Sequence, residues 1–174
     1  MTTDAPISLE IVTLDQASVL RNLFQLYAYD FSEQLPLDLA ASGLFEPLLG
    51  EEWWTRDDHF PFFIRSAEAG KLVGFALARR GSRTTGESDV MDVAEFFVVR
   101  RARRRGVGSA AAHALFARFQ TPWEIRVRES NSPAQKFWSR AIATWLGHPL
   151  TPEPFTRDGV TWNVLRMPRS IPNS

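Results

Sequence analysis

Two glycines set among arginines form the part of this chain best suited to bind an anion. The segment consists of Arg103, Arg104, Arg105, Gly106, Val107 and Gly108, followed by Ser109. Residues 96–99 are β-branched and aromatic and predict a buried strand, whereas the alanine-rich residues 109–119 predict a helix. A loop between a strand and a helix presents unpaired N–H groups and the positive end of the helix dipole. We therefore expect this loop to bind a pyrophosphate, with the glycines leaving room for a ligand beside the backbone.

Two other phosphate-binding motifs share features with this loop. Gly106, Gly108 and Ala111 fit the Gly-x-Gly-x-x-Ala fingerprint of dinucleotide-binding folds, and Glu129 has the sequence spacing of the acidic residue that follows it. In those folds the turn usually follows the first strand, whereas here more than half of the chain precedes it. No Gly-Lys-Ser/Thr sequence follows, so the loop is not a P-loop. The loop therefore fits neither a dinucleotide-binding turn nor a P-loop well, and we expect it to bind another phosphate-rich ligand.

The loop and its surroundings resemble one family. Residues 103–108 match the Arg/Gln-x-x-Gly-x-Gly/Ala loop of the GCN5-related N-acetyltransferases, and the resemblance, most specific over residues 90–146, covers most of residues 7–167. It implies that the residues from Arg103 to Ser109 hold the pyrophosphate of acetyl-CoA. It also implies that the preceding strand holds the pantetheine arm and the thioester carbonyl through backbone N–H groups of Phe96, Phe97 and Val98.

A second segment, residues 131–138, is similar to the family's Asn-x-x-Ala-x-x-Phe-Tyr segment. The resemblance carries over at Asn131, Ala134 and Phe137, and it places Asn131 against the pantetheine arm and Phe137 in the cofactor site. It fails at Trp138, where the family has a Tyr that often protonates the departing thiolate. An indole N–H donates a hydrogen bond but is no acid near neutral pH, so the general acid is left unassigned.

Glu95 is the candidate catalytic residue of the strand before the loop. By strand alternation it shares a face with Phe97 and Val99, and a carboxylate among apolar residues is seldom fully buried without a partner. In many members of the family, a Glu on this strand takes the proton from the acceptor amine, directly or through water. The alternative is a salt bridge to a neighbouring arginine or a position at a sheet edge.

The acceptor site is the least specified part of the sequence. The resemblance implies that it is built largely from the first two helices, which points to Tyr29, Asp30 and Glu33 in the polar turn after the first helix. Tyr27 is predicted to lie in the core. The three histidines have no metal-ligand spacing, so no metal site is predicted.

Periodicity predicts a single α/β domain over residues 1–174, with a core spanning about 7–167 and a mixed, mostly antiparallel sheet flanked by helices. This is the acyl-CoA N-acyltransferase fold that the resemblance implies. Residues 43–58 lack a clean period and predict a loop with room for one helical turn. Strands are predicted over 7–12, 60–66, 71–79, 96–99, 123–127, 148–155 and 159–167, and helices over 16–29, 109–119 and 132–146. Pro36 is predicted to open a short second helix or a loop.

Composition excludes several classes of function. The chain has 174 residues, 44% of them hydrophobic, a net charge of zero and no cysteine, so disorder, disulfides, thiolate metal sites and a cysteine nucleophile are excluded. The neutral charge argues against nucleic acid as a partner. No apolar run approaches the roughly 20 residues of a membrane span, and the N-terminus does not resemble a signal peptide, so a cytoplasmic location is expected.

The expected function is transfer of an acetyl group from acetyl-CoA to a primary amine of a small molecule or peptide. The resemblance implies direct attack by the amine, so that no residue of the chain is the nucleophile. The missing Tyr favours an alternative, a catalytically silent acyl-CoA-binding module of the same fold. The identity of the acceptor, the length of the acyl group and the oligomeric state, a homodimer included, stay open.

Overall fold

An open sheet of seven strands organises the protein, in the order β1-β2-β3-β4-β5-β7-β6. The strands are β1 (Ile7–Ile11), β2 (His59–Ser66), β3 (Leu72–Arg80), β4 (Met91–Val98), β5 (Trp123–Arg128), β6 (Glu153–Arg157) and β7 (Val160–Met167). Their bounds come from a computed structural model that describes residues 6–46, 49–67 and 70–169. Every neighbouring pair is antiparallel except β4 and β5, so the prediction of a mixed, mostly antiparallel sheet is confirmed.

Helices cover both faces of this sheet. They are α1 (Ala17–Phe31), α2 (Glu52–Thr55), α3 (Val107–Arg118) and α4 (Ser132–Leu146). The short α2 is the single helical turn for which the irregular segment had room. Helix α4 begins where it was predicted to begin, because the Asn131 side chain accepts a hydrogen bond from the Ala134 N–H at 3.1 Å, and it ends at Gly147, whose φ is +80°.

The ends of the strands differ from the predicted ones by a few residues, most at two starts: β4 begins at Met91 instead of residue 96, and β6 begins at Glu153 instead of residue 148. Residues 148–152, predicted as part of this strand, lie outside it. Pro149 and Pro152 lack the N–H that a strand ladder requires, which favours a later start. Pro154 is tolerated inside β6 because this strand lies at the edge of the sheet.

Each face of the sheet has its own apolar cluster. On one face, Leu20 of α1 and Trp53 of α2 pack with the strand residues Phe75, Leu77 and Phe97. On the other face, the buried side chains of α3 and α4 pack against the strands, including Ala112, Leu115, Phe116, Ala141 and Ile142. The central strands are thus held from both sides.

Two irregularities of β4 position the functional site. Leu77 of β3 pairs with Glu95 and the next residue, Ala78, pairs with Val93, so Ala94 is an extra residue in a β-bulge. The parallel pairing of β4 with β5 covers only three residue pairs and ends at Val93 and Ile125. Beyond this point the two strands separate, and the edge of β4 that faces β5 has no strand partner among the described residues.

In the part of the chain that the structure describes, no helix combines the length and the hydropathy that crossing a membrane would require. The cytoplasmic location stays a prediction.

Candidate active site

A cleft of about 500 Å³ lies where β4 and β5 separate. Residues 93–96 of β4 and residues 125–128 of β5 form its two walls, and Trp162 of β7 extends the second wall. Helix α1 and the loop that follows it cover one side, and the start of α4 closes another. The cleft is thus bounded by the one parallel pair of the sheet and by α1 and α4.

Glu95 and Tyr27 meet inside this cleft. The Tyr27 hydroxyl donates a short hydrogen bond to a carboxylate oxygen of Glu95, and both side chains are partly buried and line the cleft. The prediction that Glu95 shares a face with Phe97 is confirmed, since both project towards α1. β4 lies between β3 and β5, but Glu95 is beyond the last residue pair with β5, so the alternative of an edge position fits on that one side of the strand. Among the described residues, no arginine lies within salt-bridge distance of Glu95.

The environment of this pair shifts both pKa values upwards. Burial raises the pKa of the Glu95 carboxyl, and the hydrogen bond from Tyr27 together with the charges of Arg79 and Arg126 offsets part of the rise. Burial and the nearby Glu95 charge raise the pKa of the Tyr27 phenol well above 10, so the phenol is neutral and donates. Sequence patterns indicated only that Tyr27 packs in the core, and its hydroxyl contact was missed because the two residues are 68 positions apart.

A fully buried carboxylate supports the floor of the cleft. Asp92 accepts hydrogen bonds from Arg79 at 2.8 Å and from Arg126 at 3.1 Å. Strict alternation would place Asp92 and Glu95 on opposite faces of β4. The bulge at Ala94 places both on the face that carries the cleft. The Asp92 carboxylate thereby pairs with two arginines at the base of the cleft, and Arg126 also lies 3.6 Å from Glu124.

The arginine and glycine loop adopts a conformation that leaves most of its backbone N–H groups without a backbone acceptor among the described residues. Arg104 and Gly106 have positive φ angles of 60° and 79°, and α3 begins directly after them. The first N–H of α3 to reach a backbone carbonyl is that of Ala110, which donates to Gly106 at 2.9 Å. Within the described residues, no backbone carbonyl accepts from the N–H groups of residues 104–109. Six consecutive donors beside exposed arginines suit a pyrophosphate group, so the loop fits the predicted ligand.

Arg103, the first arginine of the motif, points towards the protein instead of towards a ligand. Its guanidinium donates to the Val98 carbonyl at 2.7 Å, lies 5.6 Å from the centre of the Phe97 ring and pairs closely with Asp30. Arg100 also binds Asp30, at 2.7 Å. Burial alone would raise the pKa of Asp30, but these two arginines outweigh it and lower that pKa. Arg103 thus fastens the loop to the end of α1.

The structure gives Gly108 a different role from the one predicted. A Cβ at this position would lie 3.0 Å and 3.3 Å from ring atoms of Phe137, so the missing side chain makes room for α4. The interpretation that Gly108 leaves space for a ligand is therefore corrected: the space is filled by the protein. Neighbouring Val107 is buried in the core, and Ser109 is half-buried.

The residues of the second motif lie in the first two turns of α4 and at its N-cap. Asn131 lines the cleft, while Phe137 stacks on Phe96 with ring centroids 5.7 Å apart. Trp138 is only 6% exposed and meets Phe96 edge to face at 5.0 Å. It therefore packs in the core, as the apolar stripe of the helix predicts, although part of its surface lines the cleft.

The three predicted acceptor residues do not line the cleft. Tyr29 is 65% exposed, Glu33 is also exposed, and Asp30 is engaged with the two arginines. Tyr29 is two positions from Tyr27, about 200° around α1, and so projects away from the cleft, whereas Glu33 lies beyond the end of this helix. The structure brings Tyr27, Phe24 and Phe31 to the cleft instead.

The fold and this site define an acyl-CoA-dependent transferase: a strand with a free edge leads into an anion-binding loop, beside a cleft that holds a carboxylate. The model of the acetyltransferase (GNAT) family matches residues 20–142, which is more than half of the chain. The chain belongs to this family and is an acetyltransferase that uses acetyl-CoA as its donor. No curated protein sequence matches the chain.

Solved structures with the same fold are distant in sequence. The aminoglycoside acetyltransferase AAC(6′)-Ib in complex with coenzyme A superposes with a TM-score of 0.68 at 13% identity, covering 94% of this chain and 95% of that one. An acetyltransferase from Thermus thermophilus gives 0.66 at 18% identity, covering 95% and 100%. The GNAT domain of S. lividans PAT gives 0.59 at 18% identity, covering 91% and 89%. At these identities the likeness concerns the fold alone.

Proposed function

We propose that the protein transfers an acetyl group to the primary amine of a small molecule or peptide, and that Glu95 is the general base. The observation that supports this most directly is the Glu95 carboxylate in the cleft, with a raised pKa and a single hydroxyl partner among the described residues. A general base works best when its pKa lies near the working pH, because it is then both ionised and basic. A structural carboxylate paired with arginine would have its pKa lowered instead.

The chain contributes positioning in addition to this base. The N–H groups of residues 104–109 bind the pyrophosphate, and Arg104 and Arg105 add positive charge at the loop. The N–H groups of Phe96 and Val98 on the free edge of β4, together with the Asn131 side chain, hold the pantetheine arm. The predicted contribution of Phe97 is corrected, because its N–H faces β3: that of Val99, two residues further on, donates to Val73 of this pairing. Acetyl-CoA, when bound, supplies the acyl group as a thioester. Holding the amine and the thioester carbonyl close together accounts for a large part of the rate of such a transfer.

Tyr27 is a positioning residue in this proposal. Its neutral phenol donates to one oxygen of Glu95 and leaves the other oxygen to accept a proton from the amine, directly or through one water molecule. Because the phenol pKa is raised, Tyr27 keeps its proton at neutral pH. Trp138 cannot protonate the departing thiolate, so its indole is assigned to packing.

One observation favours a second candidate function, a catalytically silent acyl-CoA-binding module. The family's usual acid is replaced by Trp138, which is nearly buried. Such a module would bind acetyl-CoA and release no thiol with any amine. The two functions therefore differ in a single measurement, thiol release in the presence of amines.

Glu95→Gln tests the proposal. We expect the substitution to lower kcat at least about 10-fold near neutral pH, since a general base usually contributes roughly 10²–10⁴-fold. The affinity for acetyl-CoA should be retained. Glu87→Gln is the matched control, because Glu87 is exposed and outside the cleft. The measurement is thiol release with a thiol-reactive dye, which has no protein background because the chain contains no cysteine.

Two results would contradict the proposal. If Glu95→Gln keeps the wild-type kcat and pH profile, Glu95 is a structural residue and the base lies elsewhere. If the wild-type protein binds acetyl-CoA but releases no thiol with α-amino acids, polyamines, aminoglycosides or peptides, the silent module is the better description.

A further inference from the structure

The charges that line the cleft are not equally compensated. Arg79 and Arg126 share the buried carboxylate of Asp92, and Arg126 also lies 3.6 Å from Glu124. Arg128 projects from β5 into the same cleft and is partly buried. Among the described residues, no carboxylate lies within 4 Å of its guanidinium. A partly buried charge without a partner costs free energy, which binding an anion would recover.

The Arg128 guanidinium is held in place by an aromatic ring. Arg128 is directly opposite Trp162 in the register of β5 and β7, and its guanidinium lies 5.9 Å from the centre of the indole. Stacking on an aromatic face fixes the planar group while leaving its N–H donors available at the edge. This fork of donors matches the two oxygens of a carboxylate.

The side of the cleft opposite this arginine is apolar. Helix α1 and the following loop contribute Phe24, Phe31, Leu35, Leu37 and Phe45. Among the described residues, two acidic side chains line the cleft, those of Glu95 and Glu46. Glu46 is exposed and lies at the end of this loop. A ligand that fills the cleft therefore meets an apolar surface on one side and a guanidinium on the other.

We propose that the acceptor is a small amine that also carries a carboxylate and an apolar body, and that Arg128 binds this carboxylate while the amine faces Glu95. This inference rests on the proposed function, and it adds the chemical class of the acceptor. A single uncompensated arginine matches a monoanion, whereas a phosphate dianion would leave excess negative charge beside Asp92 and Glu124. The same guanidinium disfavours polycationic acceptors by like-charge repulsion.

A panel of matched amines tests the acceptor class by thiol release. It contains phenylalanine, phenylalaninamide and phenethylamine, then β-alanine and 6-aminohexanoate with their amides, the dipeptide Gly-Phe with its amide, glycine, phosphoethanolamine, and spermidine. In at least one acid and amide pair, we expect the acid to be the better substrate by roughly 10-fold or more in kcat/KM, the effect of one charged hydrogen-bonded pair. We expect phenylalanine to exceed glycine because of the apolar surface.

Substitution of Arg128 connects this preference to the residue. We expect Arg128→Gln to lower kcat/KM for the preferred acid at least about 10-fold, mainly through KM, and to leave the amide unchanged. Arg128→Lys keeps the charge and loses the fork, so an intermediate loss is expected. Arg157→Gln is the matched control, because Arg157 covers an aromatic ring of its own strand, Phe155, at 5.1 Å but lies outside the cleft.

Equilibrium binding separates failure of this inference from failure of the proposed function. Thermal shifts of the CoA-saturated protein are measured with each acid and amide of the panel, for wild type and Arg128→Gln. A stabilisation specific to acids and dependent on Arg128, without thiol release, supports the acceptor class and contradicts catalysis. Equal effects of acids and amides, a preference for spermidine or phosphoethanolamine, or an acid preference unchanged in Arg128→Gln would each overturn the inference.

Discussion

At the scale of single residues, the site depends on how one carboxylate is kept ready to accept a proton. Burial raises the pKa of Glu95, and the hydrogen bond from Tyr27 counteracts this because it stabilises the ionised form. The position of the pKa is therefore a balance between two opposing effects. Changing the hydroxyl alone, without removing the ring, alters one side of this balance.

Tyr27→Phe is expected to move the acid limb of the kcat/KM profile to higher pH. Without the phenolic donor the ionised form of Glu95 is less stable, so its pKa rises and a higher pH is needed to generate the base. Loss of a hydrogen bond to a charged group corresponds to a shift of about 1–2 pH units. Tyr29→Phe is the control, since that side chain is exposed and lies outside the cleft. An acid limb that stays in place, or moves to lower pH, would contradict the role of Tyr27.

Sequence patterns predicted one partner of this pair and not the other. Glu95 was found because a carboxylate in an apolar strand is unusual, and strand alternation placed it correctly with Phe97. The apolar stripe of α1 predicts that Tyr27 packs in the core. Its ring does so, with its centroid 5.7 Å from that of Phe75. Only the tertiary approach of α1 to β4 shows that the hydroxyl has a separate role.

At the scale of secondary-structure elements, the order and type of the strands and long helices could be predicted, whereas the two features that create the cleft could not. The bulge at Ala94 and the early end of the pairing between β4 and β5 depend on contacts between strands. Periodicity describes each strand separately and is silent about such contacts. The predicted acceptor residues failed for the same reason, because the side of α1 that faces the cleft is set by packing.

The contact between α3 and α4 gives a prediction about Gly108. Gly108→Ala is expected to destabilise the fold by about 1–3 kcal/mol, because the added methyl group would lie 3.0 Å from the Phe137 ring. Phe137→Leu should relieve this crowding, so the double variant is expected to be more stable than the sum of the two single effects indicates. Urea unfolding of the four proteins measures this coupling. Additive effects, combined with a loss of acetyl-CoA affinity in Gly108→Ala alone, would restore the interpretation that this glycine makes room for the ligand.

At the scale of the whole molecule, charge is distributed unevenly although it sums to zero. Five arginines lie between positions 100 and 105, and within the described residues Asp30 pairs with only two of them, Arg100 and Arg103. Arg104 and Arg105 are exposed beside the free N–H groups of the loop. The uncompensated positive charge that would attract a polyanion is therefore concentrated at this loop. Added salt is expected to weaken this attraction.

Acetyl-CoA is expected to raise the melting temperature, and Arg104 and Arg105 should account for the part of the affinity that depends on the 3′-phosphate. A ligand at 100 times its Kd stabilises the folded state by about 2.7 kcal/mol, or about 5–10 °C for a domain of this size. The double variant Arg104→Gln/Arg105→Gln should bind acetyl-CoA more weakly and lose less affinity for acetyl-dephospho-CoA, which lacks the 3′-phosphate. Arg83→Gln/Arg140→Gln removes two exposed arginines elsewhere and should bind both ligands as wild type does. An unchanged melting temperature at millimolar acetyl-CoA would contradict the cofactor site, and equal losses for the two ligands would assign these arginines to the pyrophosphate instead.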